Sequence, residues 1–308
     1  MKVLVTGGAG FVGTVLIPCL LEKGHEVVVY DILRSGGYPL WPFFHRPGFS
    51  FIRGDVTDRD KVREVVSGVD AVIHLAAIVG FPACRKAPEV ARATNVDGTR
   101  NVVDALSDQQ TLVYASTGSN YGQLDAVCTE ESPLSPVSLY AITKTEAETI
   151  SLEAPRGTAL RFATAFGVSP RLRMDLLIND FVHQAVVNKQ IIVYERHFRR
   201  TFIHVRDMAR AFLFALENID QMKGESYNVG HESLNLTKEE VVNKIRERIP
   251  FYLHFAEIGK DEDRRDYEVS YEKIRKLGFE TTITLDDGIE ELIRAMDTVD
   301  MGSPFTNI

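Results

Sequence analysis

The chain has 308 residues, enough for about two domains of roughly 150 residues, and its 44% hydrophobic and 25% charged content excludes a disordered polymer. The formal charge of −8 is spread without a lysine or arginine block, so no nucleic-acid partner is expected. No apolar run approaches a membrane span, and the first residues enter a strand rather than a signal peptide, so no membrane partner is expected.

Lys2 to Thr6 is a short, β-branched run that suits a strand buried on both faces. Gly7, Gly10 and Gly13 follow at G-x-x-G-x-x-G spacing, and an apolar-periodic stretch from Phe11 to Leu21 predicts a helix. A strand, a glycine turn and a helix in succession make a phosphate site, because the backbone can approach the anion and the helix N-terminus carries partial positive charge. The second strand, Glu26 to Asp31, ends in an acid 18 residues after Gly13. A carboxylate there accepts hydrogen bonds from an adenosine ribose and repels a 2′-phosphate, so the implied cofactor is NAD rather than NADP.

Arg34 to Gly48 is rich in glycine, proline and aromatics and reads as a loop. Ser50–Arg53 is the third strand, leading into Gly54-Asp55-Val56, and Asp58 can cap the helix that follows. The fourth strand is Ala71–Leu75, with Ala76 and Ala77 allowing close backbone access at its carboxyl end. A loop at Val79–Lys86 precedes a long helical pattern from about Pro88 to Leu106, and Thr111–Ala115 is the fifth strand. A further helix runs from about Ser138 to Glu153, where Pro155 stops it, and Ala159–Phe162 is a sixth strand. Alternation of this kind predicts an α/β fold: a doubly wound parallel Rossmann sheet over residues 1–165.

Beyond Phe166 the pattern loosens into helices near Asp175–Asn188, Arg206–Glu217, Lys238–Arg248 and Asp286–Met296, with short strands such as Gln190–Tyr194 between them. Residues 166–308 are therefore expected to form a smaller C-terminal α/β substrate domain, the boundary being crossed more than once. Ligands of open α/β sheets lie outside the carboxyl ends of the strands, so this second domain should cover that crevice. Cys19, Cys84 and Cys128 suit neither a disulfide framework nor a zinc site; no metal is expected, and a reducing cytoplasm is the expected location. His183 and His204 have no metal-ligand partners at short spacing and read as structural.

Tyr140 and Lys144 stand at i and i+4, on one face of one helix. A free tyrosine titrates near ~10 and is a poor base, but a neighbouring ammonium and a positive nicotinamide ring both favour its phenolate. Tyr140 is then the candidate general acid/base. A hydroxyl at the end of the fifth strand, 23 residues earlier, could bridge it to a reacting oxygen; Thr117 is the choice, with Ser116 and Ser119 beside it.

These residues resemble the extended short-chain dehydrogenase/reductase family, specifically its nucleotide-sugar epimerases and dehydratases. The resemblance covers nearly the whole chain. It rests on Gly7–Gly13, Gly54-Asp55-Val56, His74-Leu-Ala-Ala77, Asn95-Val-Asp-Gly-Thr99, Tyr140-x-x-x-Lys144 and Arg200–Asp207. It implies an NAD site formed by Gly7, Gly10, Phe11, Val12, Gly13, Asp31, Asp55, Val56, Leu75, Ala76, Ala77, Tyr140 and Lys144. It also implies that Arg200 binds a diphosphate, that Thr164, Asn179 and Arg265 contact the nucleotide sugar, and that Thr117, Tyr140 and Lys144 are catalytic. Asn95 is expected to fix helix-to-sheet geometry. Two departures stand out. Thr164 replaces an asparagine common two residues before an aromatic–glycine pair, and Gly118-Ser119 replaces the acidic residue of 4,6-dehydratases.

The expected function is NAD-dependent epimerisation of a nucleotide-diphosphate sugar through oxidation at C4. The alternatives are a 4-dehydrogenase or 4-ketoreductase acting on hexose or heptose without epimerisation, and a non-catalytic NAD sensor. The helices near 88–106 and 138–153 carry more apolar surface than one sheet face requires, and with the resemblance they imply a homodimer.

Overall fold

The computed structural model describes residues 1–124, 126–257 and 267–298. The strands in chain order are β1 (Lys2–Thr6), β2 (Glu26–Asp31), β3 (Phe49–Arg53), β4 (Ala71–His74), β5 (Thr111–Thr117) and β6 (Gly157–Phe162). There follow β7 (Thr164–Phe166), β8 (Gln190–Tyr194), β9 (Arg199–His204), β10 (Ser226–Val229), β11 (Asn235–Thr237) and β12 (Tyr252–Ala256). The helices are α1 (Gly13–Glu22), α2 (Arg59–Ser67), α3 (Phe81–Lys86), α4 (Pro88–Arg92), α5 (Gly98–Ala105) and α6 (Leu139–Leu152). Next come α7 (Leu177–His183), α8 (Val205–Glu217), α9 (Ile219–Met222), α10 (Lys238–Arg246), α11 (Glu272–Lys276) and α12 (Leu285–Met296).

Seven strands form one parallel sheet in the order β10-β6-β5-β4-β1-β2-β3. Its strand order reverses between β1 and β4, which opens a crevice at their carboxyl ends. The inner strands are buried on both faces, as unbroken runs such as Val3-Leu4-Val5 require, whereas the edge strand β3 is only partly covered. Val3 and Val5 pack with Leu16, Ile17 and Leu20 of α1 and Met208 and Phe212 of α8 on one side. Leu4 packs with Val62 and Val66 of α2 and Val102 of α5 on the other. The doubly wound Rossmann sheet expected from the alternation is thus present.

β10 enters this sheet from far along the chain, pairing with β6 through Ser226↔Ala159 to Val229↔Phe162. Two small sheets, β11-β9-β7 and β12-β8, surround a second core of Phe166, Ile178, Phe181, Ile191, Val193, Phe202, Val241, Ile289 and Leu292.

Local structure departs from the sequence reading in several places, among them the helix expected near Asp175–Asn188, which is α7 followed by a π-helical turn at Gln184–Asn188. The aromatic segment expected as a loop contains a 3₁₀ stretch, Tyr38–Phe43, because Leu40 and Phe43 are drawn into the core. The segment expected as the loop Val79–Lys86 winds into α3, which buries Cys84. The long helix over 88–106 is broken by a π-helical turn at Ala93–Asp97, a feature that turns one residue inward at the cost of regular hydrogen bonding. That residue is Asn95, and it is buried. Among the described residues no helix is long and apolar enough to cross a membrane.

Candidate active site

Gly7 leaves β1 with φ +69°, and a Cβ on it would lie 2.7 Å from the Ala76 nitrogen. Only glycine lets the turn after β1 press against the chain leaving β4. Gly13 is held as tightly, since its Cβ would stand 2.4 Å from the Gly8 carbonyl oxygen, and this packs the start of α1 onto the turn. The Asp31 carboxylate folds back over the turn, accepting hydrogen bonds from the Ala9 (3.0 Å) and Leu33 (2.7 Å) amides. Burial raises its pKa, and those two hydrogen bonds oppose the rise.

Neighbouring strand ends are fixed around this turn. The Tyr30 hydroxyl donates to the Asp55 carbonyl at 2.8 Å, and the Tyr30 ring fills the space that a side chain on Gly54 would need. Val56 is buried against Gly98. His74, fully buried, spans the Thr6 hydroxyl (2.6 Å) and the Thr99 hydroxyl (3.0 Å), tying β1, β4 and α5 together. Burial and the nearby Lys144 cation lower its pKa to about 3, so this bridge is a neutral imidazole. Thr6 also accepts from the Ala76 amide at 3.3 Å. Sequence reasoning missed the bridge: nothing local marks a strand histidine as one.

Asn95 performs the structural task expected of it. Its carboxamide accepts from the Ile78 amide (2.7 Å) and donates to the Ile78 carbonyl (3.1 Å) and the Thr143 hydroxyl (3.0 Å). The chain leaving β4 is thereby pinned to α6, the helix of Tyr140 and Lys144. Ser138 caps α6, accepting from the Ala141 amide at 3.2 Å. Tyr140 packs against the cluster of Ile78, Cys84 and Ala91. Lys144 is only 3% exposed, with Nζ 4.1 Å from the centre of the Tyr114 ring. Burial lowers its pKa to about 7, against the opposing effects of Glu148 and Cys84. At neutral pH it therefore stands near its own titration midpoint.

Two of the three hydroxyls, Ser116 and Thr117, end β5, and Ser119 lies in the 3₁₀ turn that follows. Ser116 points toward α6 and donates to Glu148. Thr117 bonds instead within the turn that follows, accepting from the Ser119 amide and donating to the Ser119 hydroxyl, both at 3.1 Å. The sequence could not rank these hydroxyls by direction, since the turn that follows ends the strand period.

On the side facing the second core, Arg200 is buried in β9, its Nη1 donating to the Arg199 carbonyl at 3.2 Å. Thr164 begins β7 and is half-buried. Asn179 is fully buried, and its carboxamide accepts from the Gly167 amide (3.0 Å) and donates to the Gly167 (3.1 Å) and Arg173 (2.8 Å) carbonyls. Both its amide hydrogens are committed to the loop after β7. Arg265 lies outside the described residues.

Three contacts that sequence reasoning missed join that loop to the cofactor-side turn and to the chain after β2. Ser169 donates to the Phe11 carbonyl (2.7 Å) and meets the Thr14 hydroxyl (2.9 Å), and buried Arg171 reaches the Ser35 hydroxyl (3.0 Å). His204, also buried, accepts from the Arg206 amide at 3.2 Å. Among the described residues no cluster of three metal-ligating side chains occurs, and the three cysteines are free thiols.

A parallel sheet whose strand-order reversal meets a glycine turn and an acid-tipped second strand defines a dinucleotide-binding α/β protein. The chain belongs to the NAD dependent epimerase/dehydratase family, whose model matches residues 3–230. It is 31% identical to a low-salt glycan biosynthesis protein of Haloferax volcanii, covering 95% of this chain and 97% of that one. It is 30% identical to a dTDP-glucose 4,6-dehydratase of Streptomyces niveus, covering 95% and 92%. The structure matches that of a Thermus thermophilus UDP-glucose 4-epimerase in complex with NAD. The TM-score is 0.81 at 25% identity, over 96% of this chain and 99% of the other.

Proposed function

We propose that the protein is an NAD-dependent enzyme that oxidises C4 of a nucleotide-diphosphate sugar and returns the hydride to the opposite face, interconverting C4 epimers. The observation that carries this reading is the Lys144 ammonium, buried one helical turn after the half-buried Tyr140, on a helix pinned through Asn95 to the chain leaving β4. The fit of NAD is supported by the Gly7 turn, where a Cβ would collide with the Ala76 backbone, and by the Asp31 carboxylate folded over it. Gly7, Gly10, Phe11, Val12, Gly13, Asp31, Asp55, Val56, Leu75, Ala76 and Ala77 would hold the cofactor. Bound NAD supplies the hydride acceptor. Tyr140 takes the proton of the C4 hydroxyl, Lys144 stabilises the phenolate, and Thr117 holds the C4 oxygen. Arg200 pairs with the diphosphate through its guanidinium fork, and Thr164 borders the nucleotide sugar. Asn179, committed to backbone, acts by shaping the loop around it.

Two family outcomes are separated by Gly118 and Ser119. Eliminating water from C5–C6 needs an acid/base near those carbons, and neither residue offers a carboxyl; Ser119 is hydrogen-bonded to Thr117. The proposal therefore excludes 4,6-dehydration. A homodimer through α4–α5 and α6 is part of the same proposal, supported by Val90 and Ile142, which stand exposed on those helices.

The test is incubation with a panel of nucleotide sugars in deuterated water. An inverted C4 without solvent label supports epimerisation. Accumulation of a 4-keto sugar with reduced cofactor means a 4-dehydrogenase, and deuterium at C6 means dehydration. Tyr140→Phe should abolish reduction of bound NAD while leaving both ligands bound; a protein that binds NAD and turns over no sugar of the panel is a sensor.

A further inference from the structure

Behind Lys144 lies an ionic cluster that the chemistry above does not use. Glu148 follows Lys144 by one helical turn on the same face of α6, about 6 Å along the axis. Its carboxylate is almost completely buried and accepts from Arg161 Nη2 (2.7 Å) and Nε (3.0 Å), from Asn120 Nδ2 (3.1 Å) and from the Ser116 hydroxyl. Arg161 Nη1 donates to the Tyr121 hydroxyl (3.0 Å) and the Glu130 carbonyl (3.2 Å), and Tyr121 donates onward to Asn228 (2.7 Å). The cluster thus spans α6, β5, β6, β10 and the turn carrying Thr117 and Ser119.

The other groups around Lys144 are neutral or face away. Tyr114 of β5, buried beneath the ammonium, is a neutral phenol whose pKa burial pushes well up. His74 of β4 is neutral, and the Cys84 thiol of α3 is pushed up to about 11 by burial. Arg92 and Arg100, on the helices packed against α6, are paired with Glu146 and Glu153 at the surface, and Arg85 and Lys86 of α3 are exposed. Among the described residues, Glu148 is the buried carboxylate that acts on Lys144, and Arg161 balances it.

We propose that Glu148, anchored by Arg161, is a positioning residue for the Tyr140–Lys144 pair, supplying the counter-charge to the ammonium and bracing the Thr117 turn against α6 through Ser116 and Asn120. This rests on the proposed placing of Tyr140 and Lys144 beside the nicotinamide. A buried ion pair that merely cross-braced the fold would change stability when altered. One that also sets charge at Lys144 moves the pH at which the Tyr140–Lys144 pair gives up its proton. Glu148→Gln removes an anion and leaves the Arg161 cation uncompensated, so the pair should lose its proton at lower pH. Arg161→Gln exposes the anion, so the midpoint should rise. A unit charge at this distance shifts it by about one pH unit or more.

The measurement is proton release on NAD binding, followed by calorimetry in buffers of different ionisation enthalpy across about pH 5 to 9. A positive nicotinamide ring arriving beside Lys144 displaces a proton, and no sugar substrate is needed. The expected result is a midpoint that falls in Glu148→Gln, rises in Arg161→Gln and stays in place in Glu148→Asp, which keeps the charge. If either glutamine variant fails to fold, the sign of the other decides. Wild-type midpoints in variants that bind NAD would overturn the inference. Absence of proton release from the unaltered protein at every pH would instead overturn the placing of Tyr140 and Lys144 beside the cofactor.

Discussion

Lys144→Met should stabilise the cofactor-free fold while disabling it. In the folded protein the lysine pKa falls from its ordinary 10.5 to about 7, chiefly through burial. That difference of 3.5 units corresponds to about 5 kcal/mol, the cost of keeping a charge where an apolar side chain would be at ease. The Tyr114 cation–π attraction is already contained in that difference, so the gain is on the order of 5 kcal/mol, or roughly 5–10 °C in Tm. The sign depends on pH. Between about pH 7 and 10.5 the unfolded chain holds a proton that the folded one has released, so wild-type stability rises with pH through that window. Below it the full cost is present; above it the cost is gone. Urea unfolding of both proteins at a series of pH values should therefore show the variant ahead by its full margin near pH 6.5, with the gap closing toward about pH 10. A gap independent of pH, or a variant less stable than wild type at neutral pH, would refute the reasoning. NAD should bind the variant more weakly, because a residue expected to form part of the NAD site is lost.

Three further outcomes are expected. Gly7→Ala places a left-handed alanine against the Ala76 backbone, which cannot yield; destabilisation of about 2–5 kcal/mol and a marked loss of NAD affinity should appear in thermal and binding titrations. Asp31→Asn removes the charge that a 2′-phosphate would meet, so the ratio of NAD to NADP affinity should fall by about tenfold or more, read by competitive binding. Ile142→Asp, at a site 38% exposed on α6, should leave monomer stability within about 0.5 kcal/mol and shift sedimentation from dimer to monomer; a wild-type protein that sediments as a monomer at micromolar concentration removes the dimer from the proposal.

Much of this protein is determined locally and is legible in the chain. β1, the glycine turn and α1 follow from a β-branched run, three glycines and an apolar period, because each signal acts within one or two turns of backbone. The cap at Asp58 is of the same kind, accepting from the Lys61 amide as its position before a helix implies. Tyr140 and Lys144 share a face by helix geometry alone.

Tertiary structure decided the rest. β10 has four residues buried on both faces, so neither length nor alternation marks it, and only pairing with β6 makes it a strand. The π-turn that buries Asn95 exists because Ile78 and Thr143 offer it partners that lie distant in sequence. The separate hydrogen-bond partners of Ser116 and Thr117, and the Ser169 contact with the glycine turn, depend equally on which elements meet. So does the charge state of Lys144: a lysine in a helix is ordinary, and its pKa near 7 is set by desolvation between α3, β5 and Glu148. Desolvation and long-range hydrogen bonding are properties of assembled neighbours, whereas propensity, capping and helical period belong to the chain itself.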